Sequence, residues 1–187
     1  LGTIPKNKDV YARFIATKLQ GITEGQLNKE IEGIPEEIEN TGWTGFRTDN
    51  NGIFVYDYFI KGFLKEAGNI LKDSLGVPAL RSKIDNLVFV FPRKIYIGEK
   101  PDGLLERPIR VQTMQGPRVS VVRSDFVNEG TIINCSLKVI GSRVINEKIL
   151  RSILDYGSLK GLGQFRNGSY GRFNYELISK GVSPFSK

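Results

Sequence analysis

Hydrophobic and polar residues alternate with a period of two near the start of the chain, and a polar stretch follows. Residues alternate between two faces from Tyr11 to Leu19, with Tyr11, Ile15 and Leu19 on one of them. This alternation predicts a strand. Residues 24–52 are polar and rich in glutamate, and that composition predicts a long loop or a short helix.

Helical spacing of apolar residues follows after Asp57, at Ile60, Phe63, Leu64, Ala67, Ile70 and Leu71. This spacing predicts a helix that Asp57 caps and that runs to about Leu75. Gly76 and Pro78 come next, and both residue types commonly end helices. Further along, Asn146 predicts the cap of a second, shorter helix.

Short apolar runs separated by proline and glycine predict several strands after residue 87. Residues 87–117 form a β-rich insertion in this interpretation, a hairpin that protrudes from the domain. The cleanest alternation, Ile132–Ile140, predicts a strand with Cys135 on its core-facing side. A final strand is predicted over Arg172–Ile178.

The predicted order is therefore strand, helix, β-rich insertion, strand, helix, strand. Without the insertion this order is typical of a ferredoxin-like, or RRM-like, α+β fold of the β-α-β-β-α-β type, with helices on an antiparallel sheet. We expect a single domain over residues 1–187, carrying the loop 24–52 and the insertion 87–117.

The amino-acid composition limits the partners and the kinds of catalytic site that this chain can have. The 187 residues include 27 Lys and Arg against 20 Asp and Glu, a net charge of +7 that favours an anionic partner. Histidine is absent, which excludes Ser-His and Cys-His nucleophilic sites, and a single cysteine excludes an intrachain disulfide. We expect no metal and no cofactor. Because no apolar run reaches transmembrane length and no signal-peptide pattern is present, we expect a cytoplasmic protein without a membrane partner.

The most informative stretch is residues 157–173, the glycine-rich segment, in which glycines interleave with basic and aromatic residues. Glycine lets a backbone pass close to a bulky ligand, arginine binds phosphate, and aromatic rings stack on bases. The segment therefore predicts a nucleic-acid site, and the alternative is a helix–strand connection that needs glycine for tight packing. The candidate RNA-binding residues are Lys160, Gly161, Gly163, Arg166, Asn167, Gly168, Tyr170, Gly171 and Arg172. Phe173 is assigned to the core.

Four more cations are candidate phosphate contacts. Lys61 and Lys65 are four residues apart and share one face of the first helix, near its positive end. Arg118 and Arg123 flank a predicted strand. The alternative for all four is a solvated basic surface.

Three segments in order resemble the repeat-associated RNA-binding superfamily of CRISPR effector proteins, in particular the backbone subunits that line up along a guide RNA. Residues 58–65 resemble the family's helix-opening segment, in which Lys-Gly is followed by a basic residue. Residues 123–131 resemble its entry into a central strand. The glycine-rich segment resembles its C-terminal glycine-rich loop. The likeness covers roughly residues 11–178.

The resemblance implies a ferredoxin-like fold, binding of single-stranded, guide-like RNA, and assembly head to tail or with other effector subunits. Residues 40–47 lack the loop aspartate with which some backbone subunits cleave RNA, so we expect no catalysis. Two alternatives remain open. The first is a metal-dependent ribonuclease of the same fold using Glu39 and Asp49, and the second is a mobile-element homologue that acts as a protein-binding or single-stranded-DNA-binding module.

Overall fold

The computed structural model describes residues 4–5, 43–113, 116–140 and 144–181, with the backbone alone at residues 4–5, 109–113 and 116–121. The predicted strand Tyr11–Leu19 lies outside these residues, as do the glutamates of residues 30–39. Within the described ranges the chain has an α+β fold made of small sheets and helices. No helix in these ranges is long and apolar enough to cross a membrane.

The chain divides into two compact units that are interleaved in sequence. The first unit comprises residues 1–55 and 96–132, and the second comprises residues 56–95 and 133–187. That the whole chain forms a single domain stays a prediction.

A four-stranded sheet dominates the first unit. Its strand order is β1 (Ile4–Pro5), β2 (Trp43–Gly45), β8 (Gly116–Phe126) and β7 (Gly103–Thr113). Strands β7 and β8 form a long antiparallel hairpin, and β2 runs parallel to β8. This long hairpin spans residues 103–126, whereas the predicted insertion 87–117 contributes strands to three separate sheets and does not form one hairpin.

A three-stranded sheet contains β3 (Arg47–Asp49), β4 (Gly52–Tyr56) and β6 (Lys94–Gly98) in that order. The prediction of a loop or short helix over residues 24–52 is wrong for the described part, residues 43–52. These residues form strands because a tight turn, in which Asn51 N–H donates to Asp49 Oδ1 (2.9 Å), returns the chain onto itself.

The second unit packs helices against a two-stranded antiparallel sheet. It contains α1 (Asp57–Leu71), α2 (Leu80–Leu87), β5 (Val88–Phe91), β9 (Ser136–Val139) and α3 (Glu147–Asp155). Four of the six apolar side chains that the 3.6-residue period selects on α1 are buried, namely Ile60, Phe63, Leu64 and Ala67, whereas Ile70 is 48% exposed and Leu71 is half-buried. Other buried residues of this unit include Val77, Leu80, Ile84, Val88, Val90, Ile95, Ile145, Ile149 and Ile153.

Both predicted helices are confirmed, with shifted ends. Helix α1 begins one residue after Tyr56, so Asp57 is its first helical residue rather than its cap, and it ends at Leu71. The cap of α3 is as predicted, since Asn146 Oδ1 accepts a hydrogen bond from Ile149 N–H at 3.0 Å.

Two strand predictions need correction. Only Ser136–Val139 of the predicted strand Ile132–Ile140 pairs with a neighbour, and Cys135 is exposed rather than in the core. Residues 172–178 form no strand. In both cases the alternating pattern is present but the described structure supplies no partner strand for those residues.

Candidate nucleic-acid interface

The glycine-rich segment is a loop closed at its base. It opens with α4 (Gly157–Lys160), and Leu162 N–H then donates to the carbonyl of Gly171 at 2.7 Å. Gly161 has φ of +79° and Gly171 has φ of +74°, conformations that favour glycine. A Cβ on Gly171 would overlap the Leu162 carbonyl, and one on Gly161 would lie 2.7 Å from the backbone of Arg172. These two glycines therefore let the arms of the loop touch.

Phe173 anchors the end of this loop in the second unit. Its ring packs edge-on against Phe63 of α1, with ring centroids 5.2 Å apart, and it fills the place that a Cβ on Gly157 would take. The assignment of Phe173 to the core is consistent with this contact. Gly157, like Gly161 and Gly171, has a structural role, as the alternative reading of the segment proposed.

Two aromatic rings are exposed on the loop. Phe165 and Tyr170 are 45% and 38% exposed, and their ring centroids are 5.5 Å apart with planes tilted by 37°. Phe165 has φ of +56° and Ser169 has φ of +67°, a backbone region that costs a non-glycine residue free energy. Gly168 sits against the Phe165 ring, where a Cβ would be 2.7 Å from one of its carbons. The loop backbone thus holds a ring pair at the surface.

Arg166 is not a free phosphate ligand. Its guanidinium Nη1 donates to Glu66 Oε2 of α1 at 2.6 Å, and both side chains are about two-thirds buried, at 27% and 36% exposed. This ion pair holds the loop on α1, and a direct phosphate contact through Arg166 stays a prediction. Glu66 was missed by the sequence analysis, because nothing local in the sequence links it to a residue one hundred positions later.

Besides Tyr170, three of the candidate side chains remain available to a ligand. Arg172 and Asn167 are exposed and Lys160 is half-buried. Among the described residues, neither Lys160 nor Arg172 has an ion pair or hydrogen bond through its side chain. Gly163, with φ of +81°, lies between them in the chain at half-buried depth.

The ammonium groups of Lys61 and Lys65 both interact with helix α2. The ammonium of Lys61 donates to the carbonyls of Ile84 (2.8 Å), Asp85 (2.9 Å) and Val88. Partial burial lowers the pKa of Lys61, while the Asp85 carboxylate opposes that shift. Lys65 forms an ion pair with Asp85 at 2.9 Å, and this hydrogen bond lowers the pKa of Asp85. Lys61 thus adds a charged donor to carbonyls at the C-terminal end of α2, and Lys65 pairs with an acidic side chain there.

The two candidate arginines of β8 belong to the first unit. Arg123 Nε donates to Glu106 Oε1 of the paired strand β7 at 2.6 Å. Arg118 pairs with Val111 through the backbone register of the same hairpin, and its side chain is not among those described. Neither is in the unit that carries the glycine-rich segment.

The positive charge of the chain is concentrated in the second unit. That unit contains 16 Lys and Arg against 7 Asp and Glu, a net charge of +9, whereas the rest of the chain has 11 against 13, a net charge of −2. An electrostatic field of this sign attracts polyanions to the unit that holds the exposed ring pair.

The Asp49 carboxylate, which the alternative of a metal-dependent ribonuclease would use, accepts hydrogen bonds from other groups of the chain. Asp49 Oδ2 accepts from the Tyr96 hydroxyl at 3.0 Å, and its Oδ1 accepts from the backbone of Asn51. Glu39, the second carboxylate of that alternative, lies outside the described residues. Among the described residues no group of three acidic or cysteine side chains could hold a metal ion.

No family model, curated protein or solved structure matches the chain. Function therefore has to be argued from the residues and their geometry.

Proposed function

We propose that this protein binds single-stranded RNA through the glycine-rich segment and does so without catalysis. One observation carries the proposal: a closed loop holds the exposed Phe165–Tyr170 ring pair, with Arg172 two residues after Tyr170 in the chain, in the unit with a net charge of +9. Rings exposed next to cations are the combination that single-stranded nucleic acids require, because bases stack on the rings while the cations neutralise phosphates.

The mode of binding follows from what the loop offers. Tyr170 and Phe165 present faces to any base, and stacking of this kind tolerates all four bases. Arg172 and Lys160 supply positive charge, so binding weakens as salt rises because phosphate neutralisation releases counterions. The loop is already fastened by the Leu162–Gly171 hydrogen bond and the Arg166–Glu66 ion pair, so little ordering is needed on binding.

The arrangement of the second unit supports the finer proposal of a ferredoxin-like core. Its elements follow in the order α1, α2, β5, β9 and α3, with β5 and β9 antiparallel. With α2 taken as an addition, this order would correspond to the central α-β-β-α part of a β-α-β-β-α-β fold.

The same arrangement supports the likeness to CRISPR effector backbone subunits. Residues 58–65 lie on α1, residues 123–131 precede β9, and the glycine-rich segment follows α3. The proposed ligand is accordingly a guide-like RNA, and the proposed partners are further copies of the chain in head-to-tail order or other effector subunits. Two lysines of the helix-opening segment serve α2 in this chain, so the proposal does not use them as phosphate ligands.

The test is fluorescence anisotropy with a labelled RNA of mixed sequence and the matching DNA, at two salt concentrations. We expect Tyr170→Ala and Arg172→Ala each to weaken binding by about 1–3 kcal/mol. Arg81→Ala is the matched control, because Arg81 is an exposed arginine of the same unit outside the loop. Wild-type affinity in both loop variants would refute the assignment of this loop, and stronger binding of DNA would refute the assignment of RNA.

A further inference from the structure

Strand β5 presents two phenylalanine rings at the surface. Its sequence is Val-Phe-Val-Phe, and Val88 and Val90 face the core at 0% and 6% exposed. Phe89 and Phe91 point to the opposite face and are 42% and 44% exposed. Because side chains alternate along a strand, Phe89 and Phe91 share one face, and the two residues are about 6.6 Å apart along the strand.

The paired strand β9 adds a cation to this face. Lys138 lies opposite Phe89 in the register, and Ser136 lies opposite Phe91. The Lys138 ammonium is 4.6 Å from the centroid of the Phe91 ring. We call Phe89, Phe91 and Lys138 the aromatic platform.

Lys61 places a second positive charge next to the other ring, that of Phe89. The Lys61 ammonium is 5.3 Å from the centroid of Phe89 while it is held by the carbonyls at the end of α2. Each ring of the platform therefore has an ammonium group over it. An apolar surface that is to be covered by another protein is typically depleted of charge at its centre, whereas a surface for single-stranded nucleic acid combines rings with cations.

We infer that the aromatic platform is a second RNA-binding site, on which two neighbouring bases of a single strand stack. The inference rests on the proposed function, since it names a further site for the same ligand. Lys138 is exposed and flexible, so a base can displace its ammonium from the Phe91 ring, and the ammonium then binds a phosphate of the strand. Lys61 stays in place and maintains positive charge beside Phe89. The apolar run predicts this strand, but nothing in its sequence shows that the two rings are exposed.

The first experiment measures affinity and stacking together. An unstructured RNA carrying 2-aminopurine, whose fluorescence is quenched by stacking, is titrated with the full chain. We expect Phe89→Leu/Phe91→Leu, which keeps apolar volume and removes the rings, to weaken binding by at least about tenfold and to reduce the quenching. Ile178→Ala is the control, because Ile178 is an apolar residue of the same unit that is 81% exposed. Lys138→Gln should lower the salt dependence of log K by about 0.7 and leave the quenching in place.

The second measurement needs no variant and remains decisive if the double variant does not fold. Ultraviolet cross-linking of wild-type chain to 5-bromouridine RNA, followed by trypsin, separates the two sites because cleavage after Lys83 and Arg93 releases residues 84–93. The loop is released separately, as residues 161–166 and 167–172. We expect cross-links on residues 84–93 as well as on the loop peptides.

The outcomes distinguish the two proposals. Wild-type affinity of Phe89→Leu/Phe91→Leu together with cross-links confined to the loop peptides would overturn the platform and leave the loop assignment standing. A change in sedimentation of that variant at unchanged RNA affinity would identify the face as an interface between copies and would also overturn the platform. Absence of RNA binding by the wild-type chain would overturn both proposals.

Discussion

The guanidinium of Arg166 lies 2.6 Å from the carboxylate of Glu66, and this ion pair fastens the glycine-rich segment to helix α1. The two residues are one hundred positions apart in sequence. Since Leu162 and Gly171 close the base of the same loop, the loop is held at both its base and its side. The orientation of the Phe165–Tyr170 pair is thereby set before any ligand arrives.

This relationship gives opposite predictions for two roles of Arg166. If Arg166 holds the loop, Glu66→Gln weakens RNA binding, because the loop loses its attachment to α1. If Arg166 binds phosphate directly, the same change frees the arginine and strengthens binding. We expect weakening, with Arg166→Ala equally harmful and the double variant no worse than either single variant. Anisotropy titrations of the three variants measure this.

The stability effect of the same ion pair should be small. Both side chains retain contact with water, and partly exposed pairs typically contribute about 0.2–1 kcal/mol. Urea unfolding of the variants in a double-mutant cycle gives the coupling energy. Exchange of the two charges, Glu66→Arg with Arg166→Glu, should recover part of both stability and RNA affinity, and failure to recover either would contradict a simple ion pair.

A second prediction concerns the glycines at the base of the loop. Gly171→Ala should lower the free energy of unfolding by about 1–3 kcal/mol, because φ is +74° and the new Cβ would overlap the Leu162 carbonyl. Gly62→Ala is the matched control. Gly62 lies inside α1 with open space around it, so alanine there should raise stability by about 0.5–1 kcal/mol. Thermal unfolding of the pair measures both, and equal behaviour of the two would refute the closed loop.

The sequence predicts best those elements in which a periodic pattern of apolar residues continues over many consecutive positions. Helix α1 shows its buried stripe from Ile60 to Gly68, and α3 shows both a stripe and the Asn146 cap. Helix α2 has only Leu80 and Ile84 buried over eight residues, and it starts after Ala79 at φ of +55°. Such a short helix depends on tertiary packing, which no window of sequence displays.

The coincidence of glycine, arginine and aromatic residues selects residues 157–173, and the structure forms a short helix and a closed loop there, whose role in binding RNA stays a prediction. Arg166, Lys61 and Lys65 were assigned to phosphates, yet each has a partner inside the second unit. Ion pairs between distant residues leave no local pattern, so charge in a sequence does not reveal whether it is already neutralised.

A third prediction follows from the position of Lys61. Lys61→Ala should lower the free energy of unfolding by about 1–3 kcal/mol, because carbonyls of Ile84, Asp85 and Val88 would lose their charged donor. Lys148→Ala is the control. The Lys148 side chain is exposed on α3, and its removal should change stability by less than about 0.5 kcal/mol. Urea unfolding measures the stability of both variants. Equal stability of the two would show that Lys61 is a solvated surface lysine without a structural role.

The last prediction concerns Cys135, for which the sequence pattern and the structure give opposite expectations about exposure. The alternating pattern of residues 132–140 predicts a core thiol, whereas the structure begins β9 at Ser136 and leaves Cys135 exposed. The single thiol of the native chain should therefore react with Ellman's reagent in one equivalent without denaturant. Cys135→Ser supplies the blank, and the unfolded chain supplies the reference stoichiometry.

The rate of that reaction carries further information. Partial desolvation of the sulfur raises the pKa of the Cys135 thiol, even though the residue as a whole is exposed. Only the thiolate attacks, so at neutral pH the native chain should react more slowly than the unfolded chain, and the difference should narrow as pH rises above the ordinary thiol pKa of about 8.5. A thiol that reacts only after denaturation would place Cys135 in the core and extend β9 toward Ile132.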